Sequence, residues 1–427
     1  MILIRNGYVI DPKSEIEEQM DILIDGGTIV KMGKNLLPTL IRTPDKTIHA
    51  DGLMIAPGLV DVHVHFRDPG FTEKEDIATG ARAAAKGGFT SVVLMANTKP
   101  VVDTVEILSY VLEQGKKTGI HVYSCATATK GMQGEQLSDM QNLAEHQAVG
   151  FTDDGVALLR ESVVREAMCE TRRLQVPLSL HEENPNLIMQ NGINAGQASS
   201  HYGIEGSPRE AEITMVKRDL ELAIETGAIV NMQHISTRES VALIREAKKH
   251  SSNIHAEATP HHFTLTEEAT ITKGSLAKMN PPLRTEQDRQ AIIEGLQDGT
   301  IDLIATDHAP HTKTEKDRPI TEAPSGIVGL ETAFSLGITH LVHKNQMSFK
   351  ELIRKMSYNP ARLYQLNAGY LAEGAPADMI IFSPTDTWKV SKLQSKSQNS
   401  PFLQETLDGV ICYTISNGTV VYDNRKR

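Results

Sequence analysis

The chain has 427 residues, 40% of them hydrophobic and 23% charged, a composition ordinary for a soluble globular protein and long enough for a barrel with a smaller companion domain. A net charge of −11 argues against nucleic acid or an anionic membrane as a partner, and no apolar run approaches the roughly eighteen residues needed to span a bilayer. Three cysteines, Cys125, Cys169 and Cys412, form neither a CxxC pair nor an even framework, which argues against disulfide scaffolding and thiolate zinc sites, and an N-terminus without a basic, apolar leader pattern makes the cytoplasm the expected location.

The first elements are short strands at residues 2–10 and 21–32, the second carrying an Asp25-Gly26 signal for a type I′ hairpin. The far end repeats this character at residues 378–382 and 409–423, where Asn417-Gly418 separates ICYTIS from TVVYD. Two β-rich ends around a different middle predict one small sheet domain built from both termini.

The middle alternates. Apolar, β-rich runs occur at 60–65, 90–95, 121–126, 148–152, 177–181, 228–234, 253–258 and 301–306, with helix-like segments at 73–87, 103–117, 161–174, 207–226, 236–250 and 285–298. Eight strands separated by helices predict an α/β fold of the (β/α)8 TIM-barrel type. Ser207-Pro208-Arg209-Glu210 reads as an N-cap with proline at N1, Gly227 as the end of that helix, and Ser236-Thr237-Arg238-Glu239 as a capping box.

In the first barrel run, His63 and His65 are one residue apart, so on a strand they share a face and can bind one cation. Asp61, Phe66 and Arg67 stand where supporting groups and an anion clamp are needed. Other candidate ligands fall at the C-terminal ends of further strands: Asp154 after the fourth, His181 at the fifth, His234 at the sixth and Asp307 at the eighth. Barrel enzymes place catalytic groups at that end. Imidazoles and carboxylates without cysteine suit zinc, with manganese, cobalt or iron(II) as alternatives. One ion can take His63, His65 and Asp307 and another His181 and His234, with Asp154 between them. A pair about 3.5–4 Å apart can share a hydroxide and polarise a carbonyl, chemistry for making or hydrolysing an amide.

The motifs PGLVDVHVHFRDPG, FTDDG, His181 with Glu182-Glu183-Asn184, Gln233-His234-Ile235-Ser236, ATPHHF, KMNPPLR and ATDHAPH occur in order along nearly the whole chain. Together they resemble the amidohydrolase superfamily and, within it, the bacterial type I class of dihydroorotases. The resemblance implies a barrel over residues 55–365 and a β-sandwich over 1–54 and 366–427. It also implies two zinc ions and interconversion of L-dihydroorotate and N-carbamoyl-L-aspartate in pyrimidine biosynthesis. It selects Asp154 over Asp153 as the bridging ligand, since Asp154 lies at the family's interval before His181. Asp307 resembles the residue that serves as general base and acid.

Arg67 offers a bidentate fork for the substrate carboxylate that does not react. By position, Asn97, Asn280 and His311 match further substrate contacts, as do Ser325 and Gly326, although relatives commonly carry a bulkier residue at Ser325. His65 is expected to touch substrate as well as metal. The polar run 312–322 is either a lid or a plain solvated loop, and His261 and His262 are expected to be structural. Hydantoinases, allantoinases and an inactive scaffold are the competing readings. Arg67 argues against the first two, because a neutral ring substituent leaves an arginine unpaired. Six filled ligand positions argue against the third. A homodimer and association with an aspartate carbamoyltransferase are both compatible with the resemblance.

Overall fold

The computed structural model describes residues 1–426. The eight middle strands are Leu59–Val64, Phe89–Leu94, His121–Ser124, Phe151–Thr152, Leu178–Leu180, Val230–Met232, Ile254–Ala258 and Leu303–Ile304. They pair in parallel as one arc of three and one arc of five. Two parallel bridges, Ala126 with Phe151 and Val64 with His308, join the arcs and close the ring. Every residue of Leu59–Val64 and Phe89–Leu94 is buried, as in a parallel strand covered on both faces, and this includes the polar Asp61, His63, Thr90 and Ser91 that stand among the apolar residues.

Helices Ile77–Lys86, Val105–Gly115, Glu161–Leu174, Glu210–Thr226, Arg238–Ala247 and Glu286–Asp298 lie between strands as the periodicity predicts. Side-chain caps from Asp76, Thr104 and Thr285 fix three of their starts. Two expected caps are corrected. The helix expected to start from a Ser207 cap begins at Glu210 with no side-chain cap. Ser207 is engaged elsewhere: its N–H donates to Ile193 O at 2.7 Å and its carbonyl accepts from Arg284 at 2.7 Å. In place of a box from Ser236, Thr237 alone caps the next helix by accepting from Ser240 N. The Ser236 and Thr237 hydroxyls both donate to buried Glu212, while Glu239 pairs with Arg209. Gly227 ends its helix at φ 69°, as expected.

Strand Met54–Pro57 pairs in parallel with Ile2–Asp11 and antiparallel with Met379–Lys389, so both ends of the chain share one eight-stranded sheet. This sheet forms the sandwich: Ile4, Ile22, Ile55, Met379, Ile381 and Ile415 bury together in its core. Ile380 and Phe382, at the alternate positions, pack into the barrel's core. Both hairpin signals mark two-residue loops with positive φ throughout, Gly26-Gly27 at 56° and 81° and Asn417-Gly418 at 48° and 71°. The first turn sits one residue later than Asp25-Gly26, because Asp25 pairs with Thr28. Among the described residues, no helix is long and apolar enough to cross a membrane.

Candidate metal centre

Parallel closure brings the C-terminal ends of the strands to one mouth, and the six candidate ligands meet there. His63 lies within Leu59–Val64 and His65 just beyond it, while the other four follow their strands by one to three residues. Asp307 Oδ1 is 3.0 Å from His65 Nε2 and 3.5 Å from His63 Nε2. Asp154 reaches both halves of the group: Oδ2 is 3.4 Å from His65 Nε2, and Oδ1 is 3.4 Å from His63 Nε2 and 3.7 Å from both His181 Nδ1 and His234 Nε2. His181 Nδ1 and His234 Nε2 are 3.0 Å apart. Donor atoms of His63, His65 and Asp307, and of His63, Asp154 and His234, cluster closely enough to hold a metal ion. Adjacent Asp153 does not join them; its carboxylate accepts from the N–H groups of Ala128 and Thr129 and from the Thr129 hydroxyl.

Backbone strain helps to aim the group. Arg67, His234 and Asp307 have φ of 58°, 34° and 48°, in the left-handed region that side chains other than glycine seldom adopt. Asp61 secures the seam beneath them by accepting from Thr306 N and His63 N, and burial pushes its carboxyl up to about 7.

The residues present fit a metal. His63 Nε2 and Asp154 Oδ1 are buried with no hydrogen-bond partner. Burial opposes charge on His63, yet Asp154, Glu257 and Asp307 hold it well above the usual histidine range. Burial likewise raises Asp154 and Asp307, but the facing imidazoles hold both below the usual carboxylate range. A donor set that draws protons in this way carries negative charge that a bound cation would balance.

Three of the candidate ligand rings are held from behind. His63 Nδ1 is 2.6 Å from Glu257 Oε1, His65 Nδ1 is 2.9 Å from Asn97 Oδ1, and His181 Nε2 is 3.3 Å from Glu183 Oε2. Glu257 and Glu183 were not among the sequence candidates. A carboxylate between two alanines of a barrel strand was the signal for Glu257, and the two-residue spacing from His181 was the signal for Glu183. Asn97, expected at the substrate, is already engaged: it accepts from His65 and donates Nδ2 to Asp154 O at 3.2 Å.

Of the other substrate candidates, Arg67 lies near Asp307 and Asp154, and His311 near Arg67. Arg67 is half-buried and donates Nε to Pro310 O at 3.3 Å. Asn280 Oδ1 and His311 Nδ1 are buried without hydrogen-bond partners, a pattern that leaves them open to a ligand. His311 Nε2 donates to Ser325 O at 2.8 Å, and burial, with Arg67 close by, pushes its ring down to about 3. Gly326 has φ +126°, and a Cβ there would stand 2.7 Å from the Ala309 Cβ, so only glycine fits. The Ser325 hydroxyl donates to Asn191 at 3.2 Å. His262 is structural, bonding Thr259 and Pro281 O, whereas neither ring nitrogen of buried His261 has a hydrogen-bond partner. Both lie in helix Pro260–Thr264 and not on a strand.

The run 312–322 contains helix Lys313–Lys316 and is tied down along its length. Glu315 pairs with Lys74 at 2.8 Å, and Ser275 donates to Lys316 O at 2.5 Å. Buried Lys278 donates to Ile320 O and Ala323 O, and buried Lys316 donates to Pro324 O and Gly326 O.

Residues 54–421 match the amidohydrolase family. The chain is 53% identical to a dihydroorotase of Clostridioides difficile (strain 630) over 423 residues, 99% of this chain and all of that one. It is 50% identical to a dihydroorotase of Clostridium acetobutylicum along the full length of both, and 49% identical to one of Streptococcus pneumoniae serotype 4 over 99% of this chain. Among solved structures, an L-hydantoinase from Arthrobacter aurescens is similar with a TM-score of 0.88 at 23% identity, covering 99% of this chain and 96% of that one. At that identity the likeness speaks for the fold.

Proposed function

The chain belongs to the amidohydrolase family, and from its relatives we infer that it is a dihydroorotase, a hydrolase of pyrimidine biosynthesis that interconverts L-dihydroorotate and N-carbamoyl-L-aspartate. The observation that carries this reading is the 53% identity to a dihydroorotase over the whole of that protein. The chemistry of the mouth agrees with it.

His63, His65 and Asp307 would hold one divalent ion and His181 and His234 a second, with Asp154 shared. The donor set suits zinc best, and manganese, cobalt or iron(II) next. When bound, such ions supply a nucleophilic hydroxide near neutral pH and polarise the amide carbonyl. Asp307, kept ionised by the imidazoles around it, would accept a proton from the attacking water in ring opening and return it to the departing ring nitrogen. Arg67 pairs its fork with the carboxylate that does not react, which fixes the ring relative to Asp307. Asn97, Asn280, His311 and the backbone of Ser325 and Gly326 surround the same molecule. Three unpaired cysteines are consistent with a reducing compartment, which we take to be the cytoplasm.

The test is hydrolysis of dihydroorotate measured beside hydantoin and allantoin, before and after chelation. Turnover of dihydroorotate alone, lost with chelator and restored by zinc, is expected. A preference for hydantoin would overturn the assignment.

A further inference from the structure

Glu257 is fully buried on the strand Ile254–Ala258, in a position that an apolar side chain would fill at less cost. Its surroundings explain its presence. Oε1 is 2.6 Å from His63 Nδ1, and Oε2 is 3.4 Å from Asn231 Nδ2. The side-chain amide of Gln233 lies 3.3 Å from the same His63 nitrogen. Asn231 continues to Ser179, 3.4 Å away, whose hydroxyl is 2.6 Å from the Tyr364 hydroxyl. A chain of buried polar groups therefore runs through the barrel and ends on the face of His63 opposite Asp154 and Asp307.

We propose that Glu257 is a positioning residue for the metal centre, holding the His63 ring so that Nε2 faces the ions. The proposal rests on the reading of the mouth as a metal centre and adds to it a residue that touches neither metal nor substrate. Its logic is directional. A ring donating from Nδ1 to a carboxylate presents a lone pair at Nε2, and the carboxylate makes that lone pair a stronger donor. His63 belongs to both donor groups that lie close enough to hold an ion, so its orientation sets the geometry where the two groups meet. Asn97 gives His65 only a neutral partner, and Glu183 stands farther from His181, at 3.3 Å. Glu257 thus makes the shortest of these backing contacts. Charge argues the same way, since a carboxylate this deeply buried needs a cation, and one bound across the imidazole would be the nearest.

The test is zinc affinity of the metal-free full-length chain, titrated against a chromophoric chelator, for wild type, Glu257→Gln and Glu257→Asp. Glu257→Gln should bind zinc about 10 to 100-fold more weakly while the metal-free protein keeps its melting temperature, and Glu257→Asp should recover part of the loss. Nitrogen chemical shifts of His63 should report Nδ1–H in zinc-loaded wild type and a mixture of tautomers in Glu257→Gln. Zinc affinity within twofold of wild type in Glu257→Gln would overturn the proposal. So would a loss of affinity matched by an equal loss of metal-free stability in both variants, which marks a merely structural residue. Wild-type protein that takes up no zinc would overturn the metal-centre reading itself, an outcome distinct from either.

Discussion

Asp307 Oδ1 stands 3.0 Å from His65 Nε2 although 242 residues separate them in the chain, because the barrel closes between their strands. In the proposed reading, this one carboxylate would serve both metal binding and proton transfer. Asp307→Asn keeps the shape and removes the base, so kcat should fall by about 10² to 10⁴-fold, the usual worth of a positioned acid–base group. Metal content measured on the same preparation separates the two roles. A variant that keeps its metal and more than a tenth of its activity would remove Asp307 from proton transfer.

Arg67 gives a prediction about recognition. Pairing a carboxylate with a guanidinium fork is worth about 1.5–3 kcal/mol per bond to a charged group. Arg67→Met should therefore lower kcat/KM on dihydroorotate by at least about 100-fold, mostly through KM. Arg67→Lys, which keeps the charge and loses the fork, should fall between. An unchanged kcat/KM in Arg67→Met would sink the clamp.

Much of this architecture is legible before any coordinates. A parallel barrel strand is buried on both faces, so it is rich in apolar and β-branched residues, and runs such as 60–65 and 90–95 stand out for that reason even with Asp61, His63 and Ser91 among them. Candidate ligands at strand ends are legible too, since one strand end is one place in a barrel. Groups that matter through a partner distant in the chain are not. Glu257 has no meaning without His63, 194 residues away, and Ser207 passes for a helix cap until Ile193 and Arg284 are seen to hold it. Capping patterns describe local preference, and tertiary hydrogen bonds override it.

At the other end of the barrel, His121 Nε2 lies 3.0 Å from Asp378, whose other oxygen accepts from Asn417 N at 2.6 Å. This contact ties the third barrel strand to the sandwich, and Tyr123 also faces Asp378. The hydrogen bond to Asp378 raises the His121 ring above the usual histidine value, against the effect of burial. Its stabilisation is therefore fully present below the unfolded value near 6.5 and is lost as pH rises through the higher folded value. The pair is partly exposed, so its worth is about 1 kcal/mol or less. Calorimetric melting of His121→Gln should lie below wild type at pH 6 and converge with it by about pH 9. A gap that widens with pH would contradict this pairing.

The hydrogen bonds along 312–326 predict a braced segment in place of a free lid. Lys316 Nζ donates to Pro324 O at 2.9 Å and Gly326 O at 3.1 Å, and Gly326 N donates to Lys278 O at 2.9 Å, so two buried lysines frame the backbone proposed to approach substrate. Lys316→Met removes both of its contacts and leaves two carbonyls without that donor, a local loss of about 1.5–3 kcal/mol. Hydrogen exchange should show the Gly326 amide protected in wild type and exchanging about 10 to 100-fold faster in Lys316→Met, with KM raised and kcat less affected. Exchange of residues 312–326 at the unprotected rate in wild type would instead make this segment a lid that is open for much of the time, the alternative its polar sequence leaves standing.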